Sequence, residues 1–216
     1  MLGKGMFGEV FRFELRYQLT RKSTWFYFLL VTGLLLQMTF DVFFDGARAG
    51  SYFFNGPYVI ASGSLIGSFI GMIVTAGVAG DAASRDVQLR LSPLMYTTPV
   101  RKRAYLGGRF AAAFVVAAGL MLALPLGQWL ALSLPGLEPE LIGPSRPEAY
   151  ALIYFLMLLP TAFITTALMF SAAVLARRPM AAFAVAVALF VSAIFTNVFF
   201  AQVKGMWALA NLLDPF

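Results

Sequence analysis

Five long stretches of this sequence carry no charged residue, and they constrain the fold more than any other feature. A helix needs about 20 mostly apolar residues to cross the hydrocarbon core of a bilayer. Across all 216 residues, 60% are hydrophobic and 12% are charged, whereas a soluble domain is about 45–50% apolar and about 25% charged. The sequence therefore predicts an all-α, polytopic transmembrane helical bundle, with spans near residues 23–43, 58–80, 110–133, 149–176 and 179–201.

The basic residues indicate how these spans are oriented. If the N-terminus is cytoplasmic, only Arg48, Arg146 and Lys204 of the 16 Lys and Arg residues lie outside, as the positive-inside rule requires. The net charge of +6 is split among short segments beside apolar runs, which is not typical of nucleic-acid binding. We expect a role in topology or at lipid headgroups for Arg12, Arg16, Arg21, Lys22, Arg101, Lys102, Arg103, Arg177 and Arg178.

Several kinds of chemistry are excluded by what the sequence lacks. The chain has no His and no Cys, so it offers no imidazole base, thiolate nucleophile or zinc site of the usual ligands, and we expect no metal site. A P-loop of the form GxxxxGK[ST] is also missing. The five uncharged stretches supply no proton or ion path, so transport would draw its energy from a partner.

The N-terminal segment, residues 1–22, precedes the first span. Phe11–Leu19 alternates apolar and polar residues, which on periodicity alone favours a strand. A lone strand beside a bilayer would leave its edges unpaired, so we predict an interfacial elbow helix instead. A plain basic anchor is the alternative. The helix would carry an apolar stripe of Phe7, Phe11, Leu15 and Leu19.

The segment between the second and third spans, residues 81–109, is too long for a hairpin connection. Asp81 or Ser84 is a candidate N-cap for a short cytoplasmic helix, which Pro93 would interrupt. A new helix would begin at Thr98, which a proline follows, and run into the third span. The pattern predicts a short helix, a turn and a second helix.

The charges of this segment alternate in sign. Asp81 and Asp86 are interleaved with Arg85 and Arg90, a pattern that suits docking to a partner of complementary charge. A charged loop that only enforces topology is the alternative, but the segment holds more basic residues than topology needs. We therefore favour a docking surface.

Small residues and prolines mark the interiors of the spans. Gly63, Gly67 and Gly71 form a small-xxx-small face, which permits close helix packing either within the chain or in a dimer. Pro125 and Pro160 are expected to kink their spans. Scattered polar side chains are predicted to form interhelical hydrogen bonds rather than a catalytic group, namely Gln37, Thr75, Gln128, Thr165, Thr166, Thr196 and Asn197.

Four motifs together resemble a known family. They are FRFELRYQLTRKSTWFYF before and in the first span, GDAASRD at the end of the second, LSPLMYTTPVRKRAYLGGRF after it, and LLPTAF with ARRP around the fourth. The chain resembles the membrane domain of ABC-2 type ABC transporter permeases. More narrowly, it is similar to the N-terminal membrane part of long bacterial permeases that carry an M1-type aminopeptidase domain.

This resemblance implies a multi-pass subunit of the bacterial inner membrane, which forms an exporter with a separate ABC ATPase and a second permease half. ATP and Mg would bind the ATPase, so this chain would be no enzyme and hold no cofactor of its own. The family has a sixth span, which leads us to expect a fragment or a truncated product. The implied coupling interface with the ATPase comprises Asp81, Arg85, Asp86, Arg90, Pro93, Tyr96 and Thr98.

Two other classes of function remain open from the sequence. A membrane scaffold would use the same charged segment to recruit a partner without transporting anything. A membrane-embedded enzyme acting on lipid would need clustered acidic residues, and only Asp41 and Asp45 come close, four residues apart after the first span. The substrate of a transporter is not encoded in any motif of this chain.

Overall fold

The computed structural model describes residues 3–89, 101–135 and 137–196, and this part of the chain is a helical bundle without a strand. The predicted all-α fold is confirmed. A 3-10 turn covers Pro139–Leu141, and a π-helical turn, Tyr154–Leu158, joins two of the helices. The α-helices are α1 Gly3–Thr20, α2 Lys22–Arg48, α3 Pro57–Gln88, α4 Lys102–Met121, α5 Ala123–Ala131, α6 Pro147–Ile153, α7 Leu159–Ala176 and α8 Met180–Phe195.

Within the described part of the chain, four helical segments are long and apolar enough to cross a membrane, so this is a membrane protein. They are Lys22–Arg48, Pro57–Gln88, Lys102–Ala131 and Pro147–Ala176, and they correspond to the first four predicted spans. The third begins eight residues before the predicted 110, because α4 continues toward its N-terminus through a basic turn. Helix α8 is apolar but has 16 residues. Residues 197–216 lie outside the described part, so the fifth span, 179–201, stays a prediction.

The N-terminal segment folds as helix α1 despite its strand-like alternation. Its apolar side chains Phe7, Phe13 and Leu19 are exposed, whereas Glu14 and Gln18 are buried against the rest of the bundle. The helix therefore buries a polar pair against the bundle, while its outer surface combines apolar with charged side chains, an arrangement suited to a helix beside lipid headgroups.

Helix α3 occupies the centre of the bundle and packs against α2, α4, α5, α7 and α8. Its 32 residues span about 48 Å at 1.5 Å per residue, longer than a hydrocarbon core of about 30 Å. The prediction of a separate helix beginning at Asp81 or Ser84 is wrong, because α3 continues to Gln88. The Ser84 hydroxyl donates to the carbonyl of Gly80, 2.7 Å away, and does not cap a new helix.

The glycine face of α3 packs within the chain. A Cβ atom at Gly67 would lie 2.7 Å from Cδ2 of Leu124, and one at Gly71 would lie 2.8 Å from Sδ of Met121. Gly63 has equally little space on the same side. All three glycines are buried, so α3 approaches α4 and α5 at a distance that larger residues would prevent.

Both prolines in the spans accompany a helix break. Pro125 follows the interruption at Leu122 between α4 and α5, and Pro160 follows the π-helical turn that precedes α7. Proline lacks an amide hydrogen, and its ring clashes with the carbonyl four residues earlier. For Pro125 that carbonyl belongs to Met121, the last residue of α4. The expected kinks are thus present.

Only some of the polar side chains in the spans bond across helices. The Gln128 amide donates to the carbonyls of Val59 and Ile60, 3.2 and 3.3 Å away, which confirms its prediction. Thr75 and Thr165 instead donate to carbonyls four residues earlier in their own helices, so the interhelical prediction is wrong for them. A threonine hydroxyl reaches its own i−4 carbonyl without any partner helix. Asn197 lies outside the described residues.

Candidate functional site

Charged side chains from α1, α3, α4 and the α1–α2 junction converge at one end of the bundle. They comprise three carboxylates and three guanidinium groups, so the charges balance. We call this cluster the ion network, and its members are Glu14, Arg21, Asp81, Arg85, Asp86 and Arg109.

Glu14 on α1 and Arg85 on α3 form the buried centre of the ion network. Glu14 is 0% exposed and Arg85 is 8% exposed. The Arg85 guanidinium donates to both carboxylate oxygens, Nη1 to Oε2 at 3.0 Å and Nη2 to Oε1 at 2.8 Å. Such a bidentate pair fixes both distance and orientation. It therefore holds α1 in one position against α3.

Asp81 extends the ion network toward the start of α2. Its Oδ2 atom accepts hydrogen bonds from Arg85 Nη2, from Arg21 Nη1 at 2.7 Å and from Gln18 Nε2 at 3.4 Å. Asp81 and Arg21 are partly exposed, so water screens their pair more than the Glu14–Arg85 pair. This carboxylate thus connects the α1–α2 junction to α3.

Arg109 connects α3 to the beginning of α4. Its Nη2 donates to Oδ1 of Asp86 at 2.7 Å and its Nη1 donates to the carbonyl of Ala82 at 3.0 Å. The Tyr105 hydroxyl donates to the other oxygen of Asp86. The Arg109 Nε atom lies 3.8 Å from Oε2 of Glu14, within ion-pair range but too far for a hydrogen bond. Arg109 therefore faces acidic groups on two helices.

Two tyrosine rings lie against the buried guanidinium groups. The Arg85 Cζ atom is 3.8 Å from the centre of the Tyr17 ring, and Arg109 Cζ is 4.8 Å from the centre of the Tyr105 ring. A guanidinium over an aromatic face is stabilised by the ring quadrupole. The tyrosines thus offset part of the cost of removing these cations from water.

Apolar packing beside the ion network joins α1 to α4. Gly108 on α4 is buried, and a Cβ atom there would lie 3.0 Å from the carbonyl oxygen of Phe7 and 3.1 Å from Cβ of Val10. The neighbouring Gly107 faces the Phe7 ring. These two glycines let the backbone of α1 approach α4 closely enough for Glu14 to reach Arg109.

The structure gives three of the predicted coupling residues partners within the chain. Asp81, Arg85 and Asp86 all belong to the ion network, and the buried Arg85 presents almost no surface to a second protein. The docking role of this segment stays a prediction. Its remaining residues, Arg90, Pro93, Tyr96 and Thr98, lie outside the described part of the chain.

The basic residues predicted to set topology fall into two groups. Arg21 pairs with Asp81, which the sequence analysis did not predict. Arg177 has a positive φ of 54°, a conformation in which side chains other than glycine are uncommon. The second group, which includes Arg177, has exposed side chains: Arg12, Arg16, Lys22, Arg101, Lys102, Arg103, Arg177 and Arg178.

Glu14 is the one carboxylate of the ion network that the sequence analysis did not single out. A local signal exists, because Glu14 and Gln18 are four residues apart and share one face of a helix. Gly107 and Gly108 are a second signal, since adjacent glycines near the start of a membrane helix permit close approach of another backbone. Neither signal identifies Arg85 as the partner.

Comparison with known proteins identifies no relative of this chain. No family model matches the chain, and neither a curated protein nor a solved structure matches it. What the chain does must therefore be inferred from its membrane helices, its ion network and its motifs.

Proposed function

We propose that this chain is the transmembrane permease subunit of an ABC exporter in the bacterial inner membrane, with its N-terminus in the cytoplasm. A separate ATPase would bind ATP and Mg, and this subunit would convert ATP hydrolysis there into helix movement. The membrane-length helices and the permease-like motifs support this proposal. The observation that carries it is the ion network, which lies where α3 ends and α4 begins.

The position of the ion network suits the transfer of force. Residues 89–101 connect α3 to α4, and the Asp86–Arg109 pair fastens these two helices beside that connection. Glu14 fastens α1 to the same point. A partner that pushes on the connection would therefore displace α1, α3 and α4 together. Because α3 also packs against α2, α7 and α8, the displacement would reach the whole bundle.

The bundle leaves surface available for a second permease half. In the apolar windows of α2 and of Pro147–Ala176, 28% of residues are buried, compared with 61% in those of α3 and of Lys102–Ala131. The two less buried segments thus offer faces to lipid or to another membrane subunit. A pathway between two such halves is the arrangement we propose. It would be formed either by two copies of this chain or by two halves of a longer protein.

Co-purification with an ABC ATPase encoded in the same genome would test the proposal. The protein as its gene encodes it would be reconstituted in nanodiscs with that ATPase. The informative variant changes Arg90, Tyr96 and Thr98 to Ala. It leaves the ion network intact, because changing Arg85 would disturb the fold and make a loss of binding uninterpretable. A matched control changes two exposed arginines of α1, Arg12 and Arg16, to Ala.

The outcomes separate the three functional classes. We expect the wild type and the control to retain the ATPase, and the triple variant to lose it. Retention of the ATPase by all three proteins, or by none, would contradict the coupling role. A bound ATPase that drives no transport would favour a scaffold. Loss of an assigned activity on changing Asp41 and Asp45 to Asn would favour an enzyme acting on lipid.

A further inference from the structure

A lateral groove lies at the end of the bundle opposite the ion network. It has a volume of about 530 Å³ and lies between α5 and the segment formed by α6 and the π-helical turn. Ligand sites typically have volumes of about 300–1,000 Å³. Leu122, Leu126 and Phe155 line it and are exposed. The groove is therefore mainly apolar and open at the surface of the bundle.

The two helix breaks border this groove. Leu122, where α4 ends and α5 follows, lines it together with Pro125. Tyr154, the first residue of the π-helical turn, lines the other side. Proline and π-helical turns displace the backbone from a straight helix. The groove therefore forms where Pro125 and the π-helical turn displace the two helices from each other. Such π-helical turns are frequent at functional sites.

Four of the side chains that line the groove carry hydrogen-bond donors. Trp129, Ser145, Arg146 and Tyr150 line it. Among the residues that the structure describes, none of these four side chains forms a hydrogen bond or an ion pair. The described residues of the lining include no Asp or Glu. Glu148, the nearest acidic residue in sequence, is exposed and does not line the groove.

The segment that holds Arg146 is fixed by a buried amide. Asn55 is 6% exposed, and its Oδ1 accepts a hydrogen bond from the backbone nitrogen of Gly143 at 2.7 Å. Its Nδ2 donates to the carbonyl of Gly143 at 2.9 Å. Asn55 thereby secures the chain three residues before Arg146. The backbone that leads to Arg146 is accordingly fixed beside the groove, so binding has to order only the arginine side chain.

We propose that this groove binds one phospholipid with an anionic headgroup. Its phosphate would accept hydrogen bonds from Arg146 and Tyr150, and one acyl chain would lie along the wall of Leu122, Leu126 and Phe155. Tryptophan and tyrosine are enriched at the depth of the headgroups, and an arginine guanidinium can donate two parallel hydrogen bonds to a phosphate. This proposal requires only that the protein resides in a membrane, so it is independent of the transporter function.

Fluorescence of Trp129 can report occupancy of the groove. The sequence has three tryptophans, and changing Trp25 and Trp207 to Phe leaves Trp129 as the only tryptophan, which can be excited selectively over tyrosine. The protein would be reconstituted in vesicles with increasing fractions of brominated phosphatidylglycerol or brominated phosphatidylcholine, both of which quench tryptophan on contact. We expect half-maximal quenching at about a fivefold lower fraction of phosphatidylglycerol, the ratio that one basic residue near a membrane provides.

Two variants and a matched control make the test specific. Arg146→Gln is expected to make both lipids quench equally. Arg178 is an exposed arginine just after the C-terminal end of α7, and Arg178→Gln should keep the fivefold ratio. Ala151→Leu narrows the groove and should reduce quenching by both lipids. Equal quenching by the two lipids in the parent protein would overturn the proposal. So would a ratio that survives Arg146→Gln, or quenching that Ala151→Leu does not change.

Discussion

Replacing Glu14 by Gln removes the carboxylate at the centre of the ion network with almost no change in side-chain size. Glu14 is fully buried and accepts both hydrogen bonds from Arg85. Arg109 also faces it across 3.8 Å. In the variant, two buried guanidinium groups lose their shared counter-ion, and the ion network gains a net positive charge.

The expected cost follows from what remains around these two arginines. Removing one partner of a buried ion pair costs about 3–5 kcal/mol. Arg85 keeps Asp81 and the Tyr17 ring, and Arg109 keeps Asp86. The uncompensated charge is thus partly shared, which places the loss in the free energy of unfolding near the lower end, at about 3 kcal/mol.

Equilibrium unfolding in mixed micelles, followed by circular dichroism of the helices, would measure this loss. Glu9→Gln is the matched control, because Glu9 is an exposed carboxylate on the same helix. We expect the control to change stability by no more than about 0.5 kcal/mol. Equal stability of the Glu14 and Glu9 variants would refute the ion network as a source of stability.

Four further substitutions, one of them a control, test other parts of the fold. Gly127→Ala should lower the free energy of unfolding by about 1–3 kcal/mol, because the new Cβ would lie 2.5 Å from the carbonyl oxygen of Thr32. The control Gly119→Ala, whose Cβ would have nothing within 4 Å, should be neutral or slightly stabilising. Equal unfolding curves of the two variants would contradict this. Arg177→Gly should stabilise by about 1 kcal/mol, since φ is 54° there, and a lower melting temperature would contradict it. Thr166→Val should stabilise by about 1 kcal/mol, because the buried hydroxyl has no partner among the described residues; a loss of stability would count against it.

The membrane helices could be predicted because their signal is local. An uncharged, mostly apolar run of about 20 residues is long enough to span the hydrocarbon core, and this can be read from the run alone. The same holds for Pro125 and Pro160, since a proline affects the turn that precedes it. The predicted end of α3 near Gly80 was wrong for a related reason. Charged residues usually end a membrane helix, but Arg85 pairs with α1 and Asp81 pairs with the α1–α2 junction, so α3 continues through both.

The ion network could not be predicted because its pairs are distant in sequence. Glu14 and Arg85 are separated by 71 positions, and Asp86 and Arg109 by 23. Charge alternation identified Asp81, Arg85 and Asp86 as notable residues, but it could not distinguish a partner protein from helix α1 of the same chain. That distinction depends on how α1 packs against Gly107 and Gly108, which is a tertiary property.

A distance measurement between α1 and α3 tests most directly whether the ion network holds these helices together. The sequence has no Cys, so spin labels can be placed at Glu9→Cys and Val87→Cys, two exposed positions near the ion network, without removing any native thiol. Double electron–electron resonance in nanodiscs should give one narrow distribution of distances between the two spin labels. The distribution should become broad when Glu14→Gln is added. An equally narrow distribution in both proteins would mean that apolar packing alone fixes α1, and it would contradict the role assigned to the ion network.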